Sequence, residues 1–89
     1  MPLVFGLQKA YPNPFNPSLT IPYGLTEDGN ISLKVYNLRG QLEETLMSTY
    51  ALKGTYSLNW QPVNISAGIY IIHMQAGNRT SMQKVLFVR

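Results

Sequence analysis

The side chains that could perform acid–base or metal chemistry are few in this sequence and lie far apart. Its carboxylates form two adjacent pairs, Glu27-Asp28 and Glu43-Glu44. Neighbouring side chains of a strand point to opposite faces, so Glu43 and Glu44 cannot form a catalytic carboxylate pair. Glu27 and Asp28 precede Gly29, and because the local sequence offers too few oxygen ligands for calcium, we expect a turn there.

His73 is the only histidine, and the sequence has no cysteine. A metal site would need further nitrogen or sulfur ligands, and a catalytic triad would need a positioned serine. No serine lies in a Gly-x-Ser-x-Gly elbow, and there is no glycine-rich phosphate loop. We therefore expect a structural or surface role for His73, and the sequence predicts no enzyme activity, no metal and no cofactor.

Size and composition predict a single folded domain. The chain has 89 residues, of which 45% are hydrophobic and 12% are charged, so it does not have the composition of a disordered tail. Its net charge of +3 comes from Lys and Arg residues scattered along the chain, which is too diffuse for a nucleic-acid footprint. No apolar run approaches the roughly 18 residues that a transmembrane segment needs.

Turn residues recur about every eight to twelve positions, and the segments between them are rich in β-branched and aromatic residues. This pattern predicts an all-β fold, an immunoglobulin-like β-sandwich of about seven antiparallel strands. We interpret residues 41–52 as a bent strand rather than a helix, because Thr45 and Thr49 are β-branched. The expected strands cover residues 5–10, 18–25, 31–36, 41–50, 54–60, 68–74 and 79–88.

Glycine and proline mark the expected connections. Residues 26–30 are predicted to form a hairpin loop in which Gly29 takes a positive φ, and residues 37–40 a tight turn. A two-residue hairpin is expected at residues 77–78. Pro22 lacks a backbone donor, so it should place its strand at a sheet edge, or at least leave the missing donor on the outer side. Residues 68–74 are apolar on both faces, which indicates a central strand.

Two aromatic residues are predicted to have structural roles. Trp60 ends the most regular alternation in the chain and should pack in the core. Tyr70 follows Gly68 by two residues at the start of a strand. It resembles the tyrosine at a sandwich corner whose hydroxyl binds back to the main chain.

Residues 11–17 combine three prolines and two asparagines between aromatic residues, in the order Tyr-Pro-Asn-Pro-Phe-Asn-Pro. Each proline fixes its own φ and restricts the residue before it, so neither a helix nor a central strand can form here. We expect a stiff lead-in that Tyr11 and Phe15 anchor by packing. Asn13 and Asn16 should form hydrogen bonds with nearby main chain.

The sequence from Tyr11 to Ser18, with residues 5–8 before it, closely resembles the opening of the C-terminal sorting domains of the type IX secretion system. The likeness continues at residues 35–42, 54–60, 66–70 and 84–89. A departure from the family pattern is Gln61-Pro62, where an acidic residue and glycine are more common. The sandwich is also similar to the immunoglobulin-like domain of flagellar hook-capping proteins, so the fold alone does not decide the function.

The resemblance implies a sorting domain that directs a larger cargo, fused at its N-terminal side, through the outer-membrane type IX translocon. The cargo would reach the cell surface or the medium, and a sortase-like peptidase would cut upstream of the proline motif. On this interpretation, residues 1–89 are one domain, in which residues 1–10 are the first strand and lead-in, 11–17 the proline motif and 18–89 the sandwich body.

The resemblance also implies a recognition surface built from four separate motifs, at residues 12–17, 37–40, 68–70 and 84–89. Its expected residues are Tyr11, Pro12, Asn13, Pro14, Phe15, Asn16, Pro17, Tyr36, Arg39, Gly40, Gly68, Tyr70 and Lys84. An alternative function is a non-catalytic carbohydrate-binding or adhesive accessory module. Its stacking platform would be formed by Tyr36, Tyr50 and Tyr56 on one exposed sheet face.

Overall fold

The computed structural model describes residues 4–15 and 17–88. This part of the chain contains seven β-strands. They are β1 (Gly6–Leu7), β2 (Leu19–Leu25), β3 (Gly29–Asn37), β4 (Leu42–Ala51), β5 (Gly54–Trp60), β6 (Gly68–Ala76) and β7 (Arg79–Phe87). Nothing in this part of the chain is a helix long and apolar enough to cross a membrane.

The strands form two antiparallel sheets. The three-stranded sheet has the order β1-β2-β5, and the four-stranded sheet has the order β4-β3-β6-β7. The predicted all-β, immunoglobulin-like sandwich of about seven antiparallel strands is therefore confirmed. The position of β6 between β3 and β7 also confirms that residues 68–74 lie in a central strand.

The core lies between the inner faces of the two sheets. Because side chains alternate along a strand, Ile31, Leu33 and Val35 of β3 all point inward and are at most 2% exposed. Burying these apolar side chains is the main favourable term in folding. The buried residues are Ala10, Phe15, Leu19, Ile21, Tyr23, Leu25, Ile31, Leu33, Val35, Trp60, Tyr70, Ile72, Met74, Val85 and Phe87.

The first strand is shorter than predicted, with two residues where the sequence indicated residues 5–10. The next pair along β2 would be Gln8 with Pro22, and Pro22 has no N–H to donate, so a side chain from β7 supplies the donor instead. Gln83 Oε1 accepts a hydrogen bond of 2.8 Å from the backbone N–H of Ala10, and Gln83 Nε2 donates one of 2.7 Å to the carbonyl of Gln8. The chain after β1 therefore stays beside β2, to which Gln8 N and Tyr11 are bonded, and is also held by β7.

The prediction that Pro22 marks an edge strand is wrong, because β2 is the middle strand of its sheet. The carbonyl of Pro22 accepts a hydrogen bond of 2.9 Å from Gln8 N. The N and C=O of one strand residue point to the same side, so the missing donor faces Gln8, whose carbonyl accepts a hydrogen bond from Gln83 Nε2 instead. The second part of the prediction, a missing donor on the outer side, is wrong as well, because the main chain of Gln8 occupies that side.

Residues 26–30 do not form the predicted hairpin loop. They connect β2 to β3, which belong to different sheets, and Gly29 starts β3 without a positive φ. Connections between the two sheets are usual in a sandwich, and short sequence signals cannot distinguish them from hairpins. Asp28 Oδ1 accepts a hydrogen bond of 2.7 Å from Lys53 N, which ties this connection to the one between β4 and β5.

Residues 42–51 are a strand rather than a helix, as predicted, and the predicted bend corresponds to irregular pairing. Along its partner β3, the register of β4 shifts between Leu33 and Lys34 and again between Val35 and Tyr36. Such β-bulges bend and twist a strand. The predicted two-residue hairpin at residues 77–78 is also confirmed, because Ala76 pairs with Arg79 across it and Gly77 has a φ of 61°.

Both aromatic predictions are confirmed. Trp60 is 2% exposed and its Nε1 donates a hydrogen bond to Glu44 Oε1 at 3.3 Å. The buried Tyr70 donates its hydroxyl hydrogen to the carbonyl of Ser66, four residues earlier. Tyr56 makes the same hydrogen bond to the carbonyl of Leu52.

Sequence reasoning did not identify this second corner at Tyr56, although its signal is visible. Each tyrosine follows a glycine by two residues, and both Gly54 and Gly68 have a φ of 153°. This region of backbone space is open mainly to glycine. The Gly-x-Tyr pattern therefore predicts both corners.

Replacing Tyr70 by phenylalanine should lower the free energy of unfolding by about 1 kcal/mol, because the partly buried hydrogen bond to the Ser66 carbonyl is lost. Urea unfolding monitored by tryptophan fluorescence measures the change. Tyr50→Phe is the matched control, since Tyr50 is 61% exposed and its variant should keep the wild-type midpoint. Equal midpoints for all three proteins would show that the corner hydrogen bond contributes no stability.

Tyr23 makes stability depend on pH at the alkaline end. Burial, and secondarily the neighbouring Tyr56, raises its pKa above the ordinary tyrosine value. The unfolded chain therefore loses this proton first, and the stability that neutral Tyr23 contributes disappears as pH rises above about 10. In Tyr23→Phe, the free energy of unfolding should fall less steeply above that pH than in wild type. Urea titrations at several alkaline pH values test this, and identical slopes would contradict it.

Candidate recognition surface

The proline segment crosses from one sheet to the other at one end of the sandwich. At its start, Tyr11 exchanges two backbone hydrogen bonds with Thr20 of β2, at 3.0 and 2.8 Å. At its end, Phe15 N donates to the carbonyl of Leu86 at 3.0 Å, and Phe15 O accepts from Val88 N at 3.1 Å. The peptide bonds Tyr11-Pro12 and Asn13-Pro14 are cis. The segment is thus held by the main chain of both sheets.

Phe15 is the side chain that anchors this segment. It is 0% exposed, and its ring centroid lies 5.4 Å from that of Trp60 and 5.1 Å from that of Phe87. Tyr11, the other predicted anchor, is 58% exposed. The prediction is therefore confirmed for Phe15 and wrong for Tyr11, whose backbone rather than its ring secures the start of the segment.

Asn13 holds the middle of the proline segment. Its Oδ1 accepts a hydrogen bond of 3.0 Å from Leu86 N. The predicted bond to main chain therefore exists, but it reaches β7 instead of the neighbouring residues. The corresponding prediction for Asn16 lies outside the described residues. Pro12, Pro14 and Pro17 are exposed.

The turn at residues 37–40 is organised by the side chain of Asn37. Its Oδ1 accepts hydrogen bonds from Arg39 N at 2.9 Å and from Gln41 N at 3.0 Å, and its Nδ2 donates to Glu43 Oε2 at 3.0 Å. Gly40 closes the turn with a φ of 83°. Asparagine suits this position because its short amide can bond to the backbone of the turn. The tip, with Leu38 and Arg39, is exposed.

Ile69 connects the proline segment to this turn. It is 41% exposed on the outer face of β6 and lines two shallow depressions. One depression continues to Asn13, Lys84 and Leu86, and the other to the turn at residues 37–39 and to Gly68. We call this area the motif surface. It comprises Asn13, Leu38, Arg39, Gly68, Ile69, Lys84 and Leu86.

Several predicted site residues do not contribute side chains to the motif surface. Phe15 and Tyr70 are buried and support it from below, while Tyr11 lies against β2. Tyr36 is half-buried beside it, where it pairs with Ile71 and packs edge-on against His73 with ring centroids 5.9 Å apart. Residues that do contribute side chains or backbone are Asn13, Arg39, Gly68 and Lys84.

The apolar members of the motif surface lie within the ranges that the resemblance implied, but the sequence reasoning did not single them out. Leu38 is 63% exposed and Leu86 37% exposed, and Ile69 lies between them. Strand alternation predicts part of this exposure, because Ile69 and Leu86 must point outward if Tyr70 and Phe87 point inward. Arg39 and Lys84 add exposed positive charge. A shallow apolar surface with charged margins is suited to binding rather than to bond making and breaking.

The groups with possible catalytic chemistry have structural roles elsewhere. Asp28 binds the amide of Lys53, Glu44 binds the Trp60 indole, and His73 packs against Tyr36. In the part of the chain that is described, no three His, Cys, Asp or Glu side chains are grouped so that they could hold a metal ion.

Comparison with known proteins identifies the family. Residues 9–88 match the model of the family described as the secretion system C-terminal sorting domain. Searches of curated proteins and of solved structures find no match. The family match includes the proline motif, the turn at residues 37–40 and the strands around Ile69. The chain therefore belongs to the family of type IX secretion system C-terminal sorting domains.

Proposed function

We propose that this domain directs a larger cargo protein, fused at its N-terminal side, through the outer-membrane type IX translocon to the cell surface or the medium. We further propose that the export machinery contacts the motif surface. The observation that carries the proposal is the convergence of separate motifs on Ile69. Asn13, Arg39, Gly68 and Lys84 are far apart in sequence but border the same two depressions.

A rigid surface favours recognition of a folded domain. The proline segment is held by Phe15 in the core, by the Asn13 side chain and by backbone bonds to both sheets. The turn at residues 37–40 is held by Asn37. Since both elements are already ordered, little conformational entropy is lost when a receptor binds them.

The residues of the site divide into supporting and contacting groups. Phe15 and Tyr70 are buried, so they position the surface without touching a receptor. The apolar side chains at its centre are Leu38, Ile69 and Leu86, and interface energy is usually concentrated in such central residues. Arg39 and Lys84 lie at its margin, where charges mainly affect the rate of association and specificity.

The domain acts in this proposal without catalysing a reaction itself. A sortase-like peptidase of the export system cleaves on the N-terminal side of the proline motif. The segment at residues 11–17 begins at the two backbone bonds between Tyr11 and Thr20, and residues 6–8 before it are also bonded to β2. Residues 1–10 are the lead-in to it and residues 18–89 form the sandwich body.

The geometry does not favour a carbohydrate-binding module. Tyr36 and Tyr50 are in strands of the four-stranded sheet, whereas Tyr56 is in the three-stranded sheet. Tyr56 also stacks on the buried Tyr23, with ring centroids 5.4 Å apart. The three tyrosines therefore do not form a stacking platform on one exposed face.

A reporter protein fused to residues 1–89 should be exported to the surface of a bacterium that has a type IX system, and deletion of residues 84–89 should abolish its display. Protease accessibility on intact cells measures export. Equal display of the full-length and truncated fusions would contradict the proposal. The deletion also removes the buried Val85 and Phe87, so it would reduce export by unfolding the domain as well as by removing recognition residues. A point variant is needed to separate loss of folding from loss of recognition.

Ile69→Gln provides that separation. It removes an apolar contact from the centre of the motif surface, and we expect export to fall about tenfold, which corresponds to about 1.4 kcal/mol of binding. Met82→Gln is the matched control, because Met82 is 67% exposed on the same sheet but lies opposite His73, away from the motif surface. Both variants should unfold within about 0.5 kcal/mol of wild type. Equal export of the two variants would exclude Ile69 from recognition.

A further inference from the structure

The β1 and β7 side of the sandwich is closed to further strands. Ser81 Oγ of β7 accepts a hydrogen bond of 3.0 Å from Leu7 N of β1, and the side chain of Gln83 binds the backbone at residues 8 and 10. Phe15 forms a parallel bridge with Phe87 at the end of β7. Side chains and the proline segment therefore occupy this edge.

The opposite side has two edge strands, β4 and β5, of which β4 is protected. Its pairing with β3 shifts register at two points, and it carries Glu43 and Glu44. Bulges and charges are the devices by which natural edge strands avoid pairing with other chains. A second strand could not add to β4 over its full length without breaking at each shift.

β5 has none of these protective features. Its sequence, Gly-Thr-Tyr-Ser-Leu-Asn-Trp, contains neither a charged residue nor a proline. It pairs with β2 residue by residue from Gly54 to Trp60 without a register shift. A regular, uncharged edge strand is a template for pairing with another strand.

The position of Pro22 shows which backbone groups of β5 are available. Pro22 lies opposite Ser57, and its carbonyl points away from β5 to Gln8. The pair is therefore of the non-hydrogen-bonded kind, in which the N–H and C=O of both residues point away from each other. The N–H and C=O of Ser57 therefore face the open side of β5. Because the direction of these groups alternates from one residue to the next, those of Thr55 and Asn59, two positions away, face the same side.

Apolar side chains beside this edge are incompletely covered. Tyr56 and Leu58 point inward from β5 and Leu46 and Met47 belong to β4, yet all four are only half-buried. They pack against the core, but no further strand lies over them on this side among the described residues. An additional strand on β5 would remove more of this surface from water, which is favourable.

We propose that β5 pairs antiparallel with β5 of a second copy of this chain, about a two-fold axis at Ser57. In this register Thr55 lies opposite Asn59 of the second copy, and Tyr56 lies opposite Leu58. The outward groups of three residues on each strand form about six backbone hydrogen bonds. The two three-stranded sheets become one continuous sheet of six strands.

The sequence of β5 favours a second copy as the occupant. With a two-fold axis at Ser57, only neutral residues lie opposite each other along β5. Beyond the strand, Lys53 of one copy lies opposite the neutral Gln61 of the other. No like charges meet, although the whole chain carries a net charge of +3. Cross-strand pairs of an aromatic and an aliphatic residue, such as Tyr56 with Leu58, are stabilising. The motif surface contains no residue of β5, so the dimer leaves it free.

Analytical ultracentrifugation of the 89-residue chain over a concentration series tests the proposal. Wild type should dimerise, and Ser57→Pro should stay monomeric over the same range. The proline removes an N–H that β2 does not use, so the domain should keep its fold, as circular dichroism can verify. Ser57→Thr is the matched control and should dimerise like wild type. A monomeric wild type at the highest concentration, or equal dimerisation of Ser57→Pro, would overturn the proposal.

A charge exchange tests the register. Ser57→Lys and Ser57→Glu place like charges directly opposite each other at the axis, so each variant alone should be monomeric at low salt. An equimolar mixture should form the mixed dimer, which native mass spectrometry distinguishes from either parent. In wild type, the amides of Thr55, Ser57 and Asn59 should also become protected from hydrogen exchange as concentration rises. Dimers of either single variant as abundant as those of wild type, or unprotected amides, would refute this register.

Discussion

The burial of Phe15 between Trp60 and Phe87 is the interaction on which the rest of the structure depends. Phe15 belongs to a segment that cannot join a sheet along its length, because its prolines remove the necessary donors. Its ring nevertheless fills the core between the two sheets, with centroids 5.4 and 5.1 Å from its aromatic neighbours. The segment is thereby held across the end of the sandwich, and Asn13 is brought within hydrogen-bonding distance of Leu86.

The position of the proline segment distinguishes the motif surface from the edge of β5. Where the proline segment meets β7, it covers the end of that strand and borders the depression next to Ile69. Among residues 4–15 and 17–88, nothing covers the far side of the sandwich in this way, so β5 is left with free backbone groups. The proposed recognition surface and the proposed pairing edge are therefore both related to where this single segment lies.

Polar groups in this domain serve mainly to shape the backbone. Asn37 organises a turn, Asn13 fastens a segment, Gln83 holds the backbone that follows the first strand, and the hydroxyl groups of Tyr56 and Tyr70 close two corners. No buried polar side chain lacks a hydrogen bond among the described residues. This use of polar chemistry fits the proposal that a receptor recognises the constant shape of this sorting domain.

Local sequence signals determined the fold class, most strands, the turn at residues 37–40, the core position of Trp60 and the corner at Tyr70, because periodicity and turn chemistry act over a few residues. Only the tertiary structure decided that β2 is a middle strand, that residues 26–30 cross between sheets and that Asn13 binds β7. It also brought Leu38, Ile69 and Leu86 together on the motif surface, to which Asn13, Arg39, Gly68 and Lys84 belong as well. These features depend on contacts between residues far apart in the chain, such as Asn13 with Leu86, and no local pattern encodes which distant strand a residue will meet.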